Sequence, residues 1–452
     1  MAASEPRLLS ETAEITSVVD AFDEGDPFDL NLTLGFQQTF KSASIRRESD
    51  LFQPGLSTGG FTPHSENVAS FSEKTSTLMV GADIGIYKDL AVIIRVPVIL
   101  SDSQSMGDLN GSSANPQRLQ DPTGAQLFSV PFKSPTRSGI DWFSTGLSYA
   151  IFNQQRDRTK PTWVIGVEGR FGVGSPLHAC NAGGVTVSDG TTRYCPNPSN
   201  PTGPDRSPGI SRAMNTIVGD TVFSRRFGYI EPYAGFWVQA DFPQGRSDSD
   251  YAATDTFSGE LINHPPVVGT FAMGMEVIPW EKREDFQRVV ADIRLSGTYH
   301  SDGRDYSELF DALGSSQAPS LRNPNPGRYA NNAPDPTAQK DYFVGITDEL
   351  SYGSIAARFQ TTVQAGQYIK FNAGIGFTYN QSHIITSAFS CNPNYTSDVG
   401  ASANCSTTGA GGRTATGIPN PNERDAIDLP GRRFSVDDTT IVDLWVNGVV
   451  MF

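Results

Sequence analysis

Ionisable side chains recur at alternate positions of several apolar stretches of the chain. Glu168 and Arg170, for example, alternate with Val167 and Phe171. Alternate residues of a β-strand point to the same side of a sheet, so groups of both signs would share one surface. Such a surface either closes through ion pairs or presents acidic and basic patches that orient polar solutes and set ion preference. The residues with this placement are Asp83, Arg95, Glu168, Arg170, Glu231, Asp241, Glu276, Arg288, Asp292, Arg294, Lys370 and Asp443.

The five histidines offer little for catalysis. Only His300 falls on the polar side of a predicted strand near its end, beside Ser301 and Asp302. Neighbouring side chains on a strand point to opposite faces, so a hydrogen-bonded relay would need partners from other strands. We therefore predict no catalytic residue and no enzymatic activity. Loss of a hydrolytic activity on His300→Ala substitution would contradict this prediction.

The four cysteines form two closely spaced pairs, Cys180 with Cys195 and Cys391 with Cys405. Both pairs lie in stretches rich in Gly, Asn, Ser, Thr and Pro. Neither pair has the CxxC spacing of a metal site, and no histidine has zinc-finger spacing. We predict two loop-closing disulfides, which indicate an oxidising compartment. Pairing across the two loops is the alternative.

One acidic loop carries side chains that could hold a metal ion. Asp248, Asp250 and Asp255 supply oxygen ligands of the kind that calcium prefers. They lack the spaced D-x-D-x-D-G pattern with its distant Glu, so a solvated loop is the favoured interpretation. No metal and no cofactor is therefore predicted.

The elements that would position the charged residues are β-strands. Twelve stretches alternate apolar with polar or small residues, and turn-forming sequence bounds them. The tenth stretch changes phase near Gly353 and Ser354, which predicts a bulge. A true turn there would make the strand count odd, and ten or fourteen strands are the alternatives to twelve. The stretches cover about 28–37, 77–86, 90–100, 143–151, 163–173, 211–224, 230–242, 267–277, 288–300, 342–365, 369–379 and 441–452.

The connections between these stretches alternate strictly between long and short. Transmembrane barrels combine short turns at one end with long loops at the other and an even strand count. Mean hydropathy is −0.31, but membrane strands expose only every second residue to lipid. The pattern predicts an all-β fold, a transmembrane antiparallel up-and-down β-barrel over residues 28–452, with a soluble sandwich or propeller as the alternative. Six long loops are predicted at about 45–72, 102–138, 175–210, 243–265, 301–341 and 387–432.

Residues 1–27 have a different pattern. Ile15, Val18, Val19 and Phe22 have helical spacing, which predicts a short amphipathic helix before the first strand. This N-terminal extension has three interpretations: a plug in the lumen, a periplasmic docking segment or a frayed tail. No signal-peptide pattern is present, and we expect a mature chain from which the signal peptide has been removed.

The last predicted strand ends on the terminal residue, Phe452, after alternating apolar residues with Asp443 and Asn447. A terminal Phe in this register resembles the insertion signal of Gram-negative outer-membrane β-barrels. The resemblance covers nearly the whole chain from Phe28, and no motif identifies a subfamily. It implies residence in the bacterial outer membrane, contact with its lipids and lipopolysaccharide, and insertion by the barrel-assembly machinery.

The net charge is −15, which argues against nucleic acid as a partner because phosphate binding needs a basic surface. Two functions fit the remaining pattern. The first is a porin-like channel or transporter that passes small polar solutes through a lumen lined by the charged residues above. The alternative is a non-conducting structural or docking barrel of a cell-envelope assembly, with a periplasmic or envelope protein as partner. A barrel of about twelve strands predicts a narrow or partly plugged conduit.

Overall fold

The computed structural model describes residues 13–21, 29–52, 61–109, 116–251, 262, 264–322, 342–389, 391–392, 418–420 and 422–452. Its main element is a closed antiparallel sheet of twelve long strands. These strands are β1 (Leu30–Phe52), β2 (Phe61–Tyr87), β3 (Leu90–Gly107), β4 (Trp142–Phe152), β5 (Thr162–Gly172), β6 (Met214–Ser224), β7 (Ile230–Pro243), β8 (Val268–Lys282), β9 (Gln287–His300), β10 (Tyr352–Gly366), β11 (Ile369–Asn380) and β12 (Phe434–Met451).

The barrel closes because its first and last strands pair with each other. β1 pairs with β12 from Asn31 opposite Met451 to Arg47 opposite Phe434, and all other neighbours among the twelve strands are consecutive in the chain. Closure leaves no edge strand with unpaired backbone groups, which is the condition for a sheet inside a bilayer. The predicted fold class and strand count are confirmed.

Shorter elements lie between the barrel strands. Phe132–Lys133 and Arg137–Ile140 pair with β3, and His383–Ile384 pairs with β12. Among the described residues, no helix is long and apolar enough to cross a membrane. The other short strands pair as Val185–Thr186 with Thr192–Arg193, Gly303–Asp305 with Thr347–Glu349, and Cys391–Asn392 with Ile418–Pro419. The helical turns are the 3₁₀ turns Glu14–Thr16, Pro116–Leu119 and Arg283–Asp285 and the α-helices α1 (Phe310–Gly314) and α2 (Pro319–Arg322).

Apolar side chains cover the outside of the barrel. Leu34 is 58% exposed, Leu295 is 54% exposed and Val446 is 52% exposed. An exposed apolar surface of this extent is unfavourable in water and fits the hydrocarbon core of a bilayer. The same outward placement is found for Leu32, Phe36, Ile94, Leu147, Val167, Ile217, Phe236, Met273, Ile293, Phe359, Phe371 and Leu444.

Placing a charge on this outer surface is expected to destabilise the barrel. Leu295→Arg puts a guanidinium against lipid and should lower the free energy of unfolding by about 2–4 kcal/mol. Ser296→Arg is the matched control, because the neighbouring position faces the interior and should cost far less. Equilibrium unfolding by urea in lipid vesicles measures both values. Equal costs at the two positions would contradict the outward placement of Leu295.

The prediction of a long loop over residues 45–72 is wrong over most of its length. β1 continues to Phe52 and β2 starts at Phe61, so most of this region is a long hairpin. Its alternation has the opposite sense to that of the membrane strands. The outward side chain of Ser42 is polar and exposed, whereas Ile45 points inward and is fully buried. The hairpin projects beyond the lipid, where the outer side meets water and the inner side meets other residues.

Other boundaries also differ from the prediction: β3 ends at Gly107, β8 ends at Lys282 and β12 begins at Phe434, so each of these strands is longer than its predicted stretch. β10 starts at Tyr352 and not at residue 342, so the phase change near Gly353 marks the beginning of the strand. The shift in its pairing with β11 lies elsewhere, between Gln364 and Gly366. At the N-terminus, the helical part of residues 13–21 is the single turn Glu14–Thr16, because polar groups there bond to the barrel wall. Phe22 lies outside the described residues.

The described parts of five long loops fold over the end of the barrel opposite the short turns. We call these parts, from the loops after β3, β5, β7, β9 and β11, the loop cap. They share hydrophobic cores with the inward residues of the long hairpin, and burying one large apolar side chain contributes about 1.5–3 kcal/mol. The main core includes Ile45, Phe71, Leu119, Leu127, Phe128, Leu309, Leu313, Leu321, Phe343, Ile385, Ile427 and Phe434, and a second one includes Ala179, Met214, Tyr251, Phe310 and Ile346.

Candidate functional site

The twelve charged residues predicted to face the interior all lie opposite the exposed apolar residues of their strands. Some of them pair with each other on this inner face. Arg95 on β3 lies 2.6 Å from Asp83 on β2, and Arg170 lies 3.0 Å from Glu168 on the same strand. These pairs place opposite charges side by side along the wall of the lumen.

Residues 13–21, which we call the N-terminal segment, lie inside the barrel near the short turns. The backbone N–H of Glu14 donates to Glu276 Oε1 on β8 at 2.8 Å. The Glu14 carboxylate accepts hydrogen bonds from Gln360 Nε2 on β10 at 2.7 Å and from Asn372 Nδ2 on β11 at 3.1 Å. Glu14 therefore bonds to inward residues of three strands at once, to two of them through its side chain and to the third through its backbone N–H.

The same segment reaches the opposite wall. Thr16 Oγ1 lies 2.7 Å from Ser224 Oγ on β6, and Ala21 pairs with Lys88 in the turn between β2 and β3. Gly85 permits this approach, because a Cβ atom there would collide with the carbonyl oxygen of the segment's Asp20. Contacts with β6, β8, β10, β11 and the β2–β3 turn mean that the segment spans the lumen.

Four of the predicted residues lie close to the short turns and are nearly inaccessible. Glu231 is 1% exposed, Arg288 is 6% exposed, Glu276 is 7% exposed and Lys370 is 8% exposed. Glu231 accepts a hydrogen bond from Ser224 Oγ at 2.7 Å. Two of these groups belong to the surroundings of the N-terminal segment: Glu276 accepts from the backbone N–H of Glu14, and Glu231 bonds to the Ser224 hydroxyl that contacts Thr16.

A cavity of about 230 Å³ lies in the middle of the lumen. It adjoins the N-terminal segment, because Gln360 contacts Glu14 and also lines the cavity. Charged residues of both signs, amides and one indole ring face this space. Its lining includes Gln37, Met79, Asp292, Arg294, Arg358, Gln360, Asp443, Trp445 and Asn447.

Ion pairs join the loop cap to the barrel wall. Lys41 on β1 lies 2.7 Å from Glu308, and Arg212 bridges Asp241 on β7 at 2.9 Å and Asp305 at 2.6 Å. Burial opposes ionisation of Glu308, but the adjacent Lys41 ammonium outweighs it and lowers the pKa of this carboxyl below its ordinary value. Glu308 is therefore ionised, and its charge is compensated by the wall of the barrel.

Two carboxyl groups inside the loop cap have contrasting surroundings. Asp311 forms a bidentate ion pair with Arg137 at 2.8 and 2.7 Å, and both side chains are 3% exposed. Burial raises the pKa of Asp428 to about 7, although this carboxylate accepts hydrogen bonds from the backbone N–H groups of Arg424 and Ala388. The first carboxylate is paired with a cation, whereas the second relies mainly on backbone donors.

The predicted disulfide between Cys180 and Cys195 is present, with an S–S distance of 2.07 Å. It closes a part of the loop after β5 that contributes to the loop cap. The second predicted pair, Cys391 with Cys405, involves side chains outside the described residues. That pairing stays a prediction.

His300 does not form a relay with its sequence neighbours. Its ring stacks on Tyr352 with centroids 4.3 Å apart, and the other face of Tyr352 stacks on His383 at 3.8 Å. Ser301 Oγ donates to the carbonyl oxygen of Asp302. The rings form a packed stack where the barrel meets the loop cap.

In the acidic loop with possible calcium ligands, two aspartates form ion pairs with arginine side chains. Asp248 lies 2.8 Å from Arg246, and Asp250 lies 2.6 Å from Arg206. Asp255 lies outside the described residues. Within the described ranges, no cluster of His, Cys, Asp and Glu is arranged to hold a metal ion.

The closed sheet and the apolar exterior together determine the class of the protein, because a sheet without edges and with lipid-compatible side chains outside is what a bilayer requires. The protein is a transmembrane β-barrel. This architecture agrees with the residence in the bacterial outer membrane that the terminal strand led us to expect, and Phe452 itself is 62% exposed at the end of β12.

No protein-family model matches the chain, and no curated protein is significantly similar to it. Among solved structures, the chain is similar to a FadL homologue from Pseudomonas aeruginosa, with a TM-score of 0.33, 9% identity and coverage of 94% of this chain and 90% of that one. It is also similar to the TodX monoaromatic hydrocarbon channel, with a TM-score of 0.35, 9% identity and coverage of 98% and 94%. For the outer-membrane protease OmpT from Escherichia coli the TM-score is 0.26 at 7% identity, with coverage of 94% and 96%. Similarity at this level does not extend to function.

Sequence reasoning missed several residues of the barrel's central cavity. Arg358, Gln360 and Trp445 were not among the predicted lining residues, yet all face this space. The sequence does indicate the inward position of Arg358, because this residue lies between Ala357 and Phe359, which are on the apolar side of β10. The other two are uncharged and were not distinguished from ordinary polar or aromatic positions of a strand.

Proposed function

We propose that this outer-membrane barrel is a gated, porin-like channel for small polar solutes. The observation that carries the proposal is the central cavity of about 230 Å³, surrounded by ionisable side chains of both signs inside a closed barrel. Charged groups lining a narrow passage orient polar solutes and set ion preference. Barrels of about eight strands are filled by side chains and those of about sixteen leave a channel, so twelve strands fit a narrow conduit.

The lining of this conduit is proposed to be the predicted set, from Asp83 and Arg95 on β2 and β3 to Asp443 on β12. The N-terminal segment is proposed as its plug at the periplasmic end, held by hydrogen bonds and one backbone pairing. The loop cap is proposed as the extracellular gate. A solute would pass only after both ends open.

The lipid-facing surface and the terminal strand suggest the partners. We propose that lipopolysaccharide surrounds the outer part of the barrel and that the barrel-assembly machinery recognises the strand ending in Phe452. No enzymatic activity is proposed. His300→Ala is therefore expected to leave the measured rate of hydrolysis unchanged in any hydrolytic assay. His300 is the last residue of β9, and its ring stacks on Tyr352 where the barrel meets the loop cap, which supports a packing role.

The alternative function is a non-conducting docking barrel for a cell-envelope assembly. One observation favours it: the loop cap packs around hydrophobic cores and contains a buried ion pair, as a stable recognition surface would. A permanent cap of this kind would keep the lumen closed. The two functions therefore differ in whether the cap and the N-terminal segment ever move.

Planar-bilayer recording of the purified full chain separates the two functions. A channel produces discrete openings whose number rises with the amount of protein inserted. A barrel that inserts, shown by its heat-modifiable mobility in electrophoresis, and stays silent over the whole voltage range would overturn the channel proposal. Co-purification of such a silent barrel with a stoichiometric envelope protein would support the docking function.

A further inference from the structure

The Arg358 guanidinium has an unusual place inside the barrel. Arg358 is an exposed residue that lines the central cavity. Among the described residues, its guanidinium has no hydrogen-bond partner and no carboxylate within the 4.0 Å of an ion pair. Its contact is with the ring of Trp445, 5.7 Å from the guanidinium carbon to the ring centroid. The face of the Trp445 ring attracts the Arg358 guanidinium but does not accept hydrogen bonds from its N–H groups.

The carboxylates that line the same cavity are occupied by other donors. Asp443 Oδ1 accepts hydrogen bonds from Gln37 Nε2 at 3.0 Å and from Thr39 Oγ1 at 2.6 Å. Asp292 Oδ1 accepts from Tyr233 Oη at 2.5 Å. The Oδ1 atom of each carboxylate is therefore engaged by the wall. Asp443 attracts the Arg358 guanidinium from a distance, but it makes no ion-pair contact with it.

A second cation and a fixed ring complete the cavity. Arg294 donates from Nε to Tyr233 Oη at 3.1 Å and lies 3.7 Å from Asp292. Trp445 donates from Nε1 to Gln360 Oε1 at 2.9 Å, which fixes the indole on which Arg358 rests. The Arg358 guanidinium therefore rests on a fixed ring and belongs to a residue that lines the cavity. A planar fork in such a place can bind a carboxylate in a bidentate way.

We propose that this cavity, the Arg358 site, binds small carboxylate anions and makes the channel selective for them. This inference rests on the proposed channel function and names its solute class. The cavity of about 230 Å³ corresponds to roughly seven or eight waters at ~30 Å³ each, which suits a carboxylate of a few carbon atoms. The anion supplies the missing partner of Arg358, while Trp445 and Gln360 border the rest of the molecule.

Calorimetric titration of the detergent-solubilised full chain with sodium succinate tests the site without any need for conductance. Saturable binding of succinate is expected, and its uncharged diamide, succinamide, is expected not to bind. Arg358→Gln should weaken succinate binding about tenfold or more. Arg358→Lys keeps the charge but lacks the fork, so its affinity should lie between those of the other two proteins.

The matched control is the double substitution Asp157→Asn with Lys160→Gln. It removes an exposed ion pair of the β4–β5 turn, 3.6 Å apart, without changing the net charge, and should alter succinate affinity by less than about twofold. Heat-modifiable mobility must show that each variant is a folded barrel. Unchanged succinate affinity in a folded Arg358→Gln barrel would overturn the proposal, as would equal binding of succinamide.

Bilayer recording then separates this proposal from the one on which it rests. Under a gradient of potassium succinate, the reversal potential of the native channel should report a preference for the anion, and Arg358→Gln should shift it toward the cation. Openings without anion preference would overturn the Arg358 site and leave the channel function standing. Saturable succinate binding by a barrel that never conducts would support the site and overturn the channel.

Discussion

Deleting residues 1–21 is expected to raise the unit conductance of the channel on the order of threefold, because the N-terminal segment crosses the lumen near the short turns. Glu14 anchors the segment: its backbone N–H donates to Glu276, and its carboxylate accepts from Gln360 and Asn372. Hydrogen bonds to a charged group contribute about 1.5–3 kcal/mol each. The segment therefore stays in place in the full chain, and its removal should widen the end of the proposed conduit that it crosses.

Single-channel recording of the deletion variant beside the full chain, in the same salt, measures this effect. The double substitution Glu14→Ala with Thr16→Ala keeps the segment but removes its side-chain anchors, and should give more frequent openings. Lys160→Ala is the control, because this residue lies in the exposed β4–β5 turn outside the lumen. A folded deletion variant with the conductance of the full chain would show that the segment is no plug.

Arg137→Met is expected to destabilise the loop cap by about 3–5 kcal/mol, the usual cost of leaving one partner of a buried ion pair without the other. Asp311 would remain 3% exposed without its guanidinium. Arg137 also donates to the backbone carbonyls of His178 and Pro208, and Asp311 accepts from the backbone N–H of Cys180. The pair therefore joins the loops after β3, β5 and β9.

The expected result is faster hydrogen exchange and protease cleavage in residues 175–213 and 301–322, with unchanged exchange in the barrel strands. Arg137→Met combined with Asp311→Leu should recover most of the loss, because no unpaired charge is left buried. Arg246→Met is the matched control: its partner Asp248 is 54% exposed, and an exposed pair of this kind contributes about 0–1 kcal/mol. Similar losses for Arg137→Met and Arg246→Met would contradict the distinction between the two ion pairs.

The prediction of the barrel strands was accurate wherever lipid covers the outside. It failed in the hairpin of β1 and β2, where outward residues such as Ser42 are polar and inward residues such as Ile45 are buried. The two-residue period is still present there, but its apolar side has changed from the outer to the inner face. A search for apolar residues facing lipid therefore ends the strand too early, and the long loop predicted over residues 45–72 follows from that change.

The loop cap could not be predicted for a different reason. Its cores combine residues from loops that have no period of their own, such as Leu119, Leu313 and Ile427. Their apolar character is visible in the sequence, but single apolar residues in Gly- and Pro-rich stretches do not indicate which loop they will meet. The N-terminal segment poses the same problem, because its partners Glu276, Gln360 and Asn372 lie on three strands.

Alternation along a strand is a local property with a period of two, so the sequence alone predicted a membrane-spanning barrel and the face of each strand that carries charge. Which charged groups meet depends instead on contacts between strands that are distant in the chain. Gln37 and Asp443 are 406 positions apart in the chain and form a 3.0 Å hydrogen bond because closure places β1 beside β12. Arg358 lies at the same cavity without such a partner. The difference depends on ring closure and on the register of each strand pair, which turns and bulges shift one residue at a time.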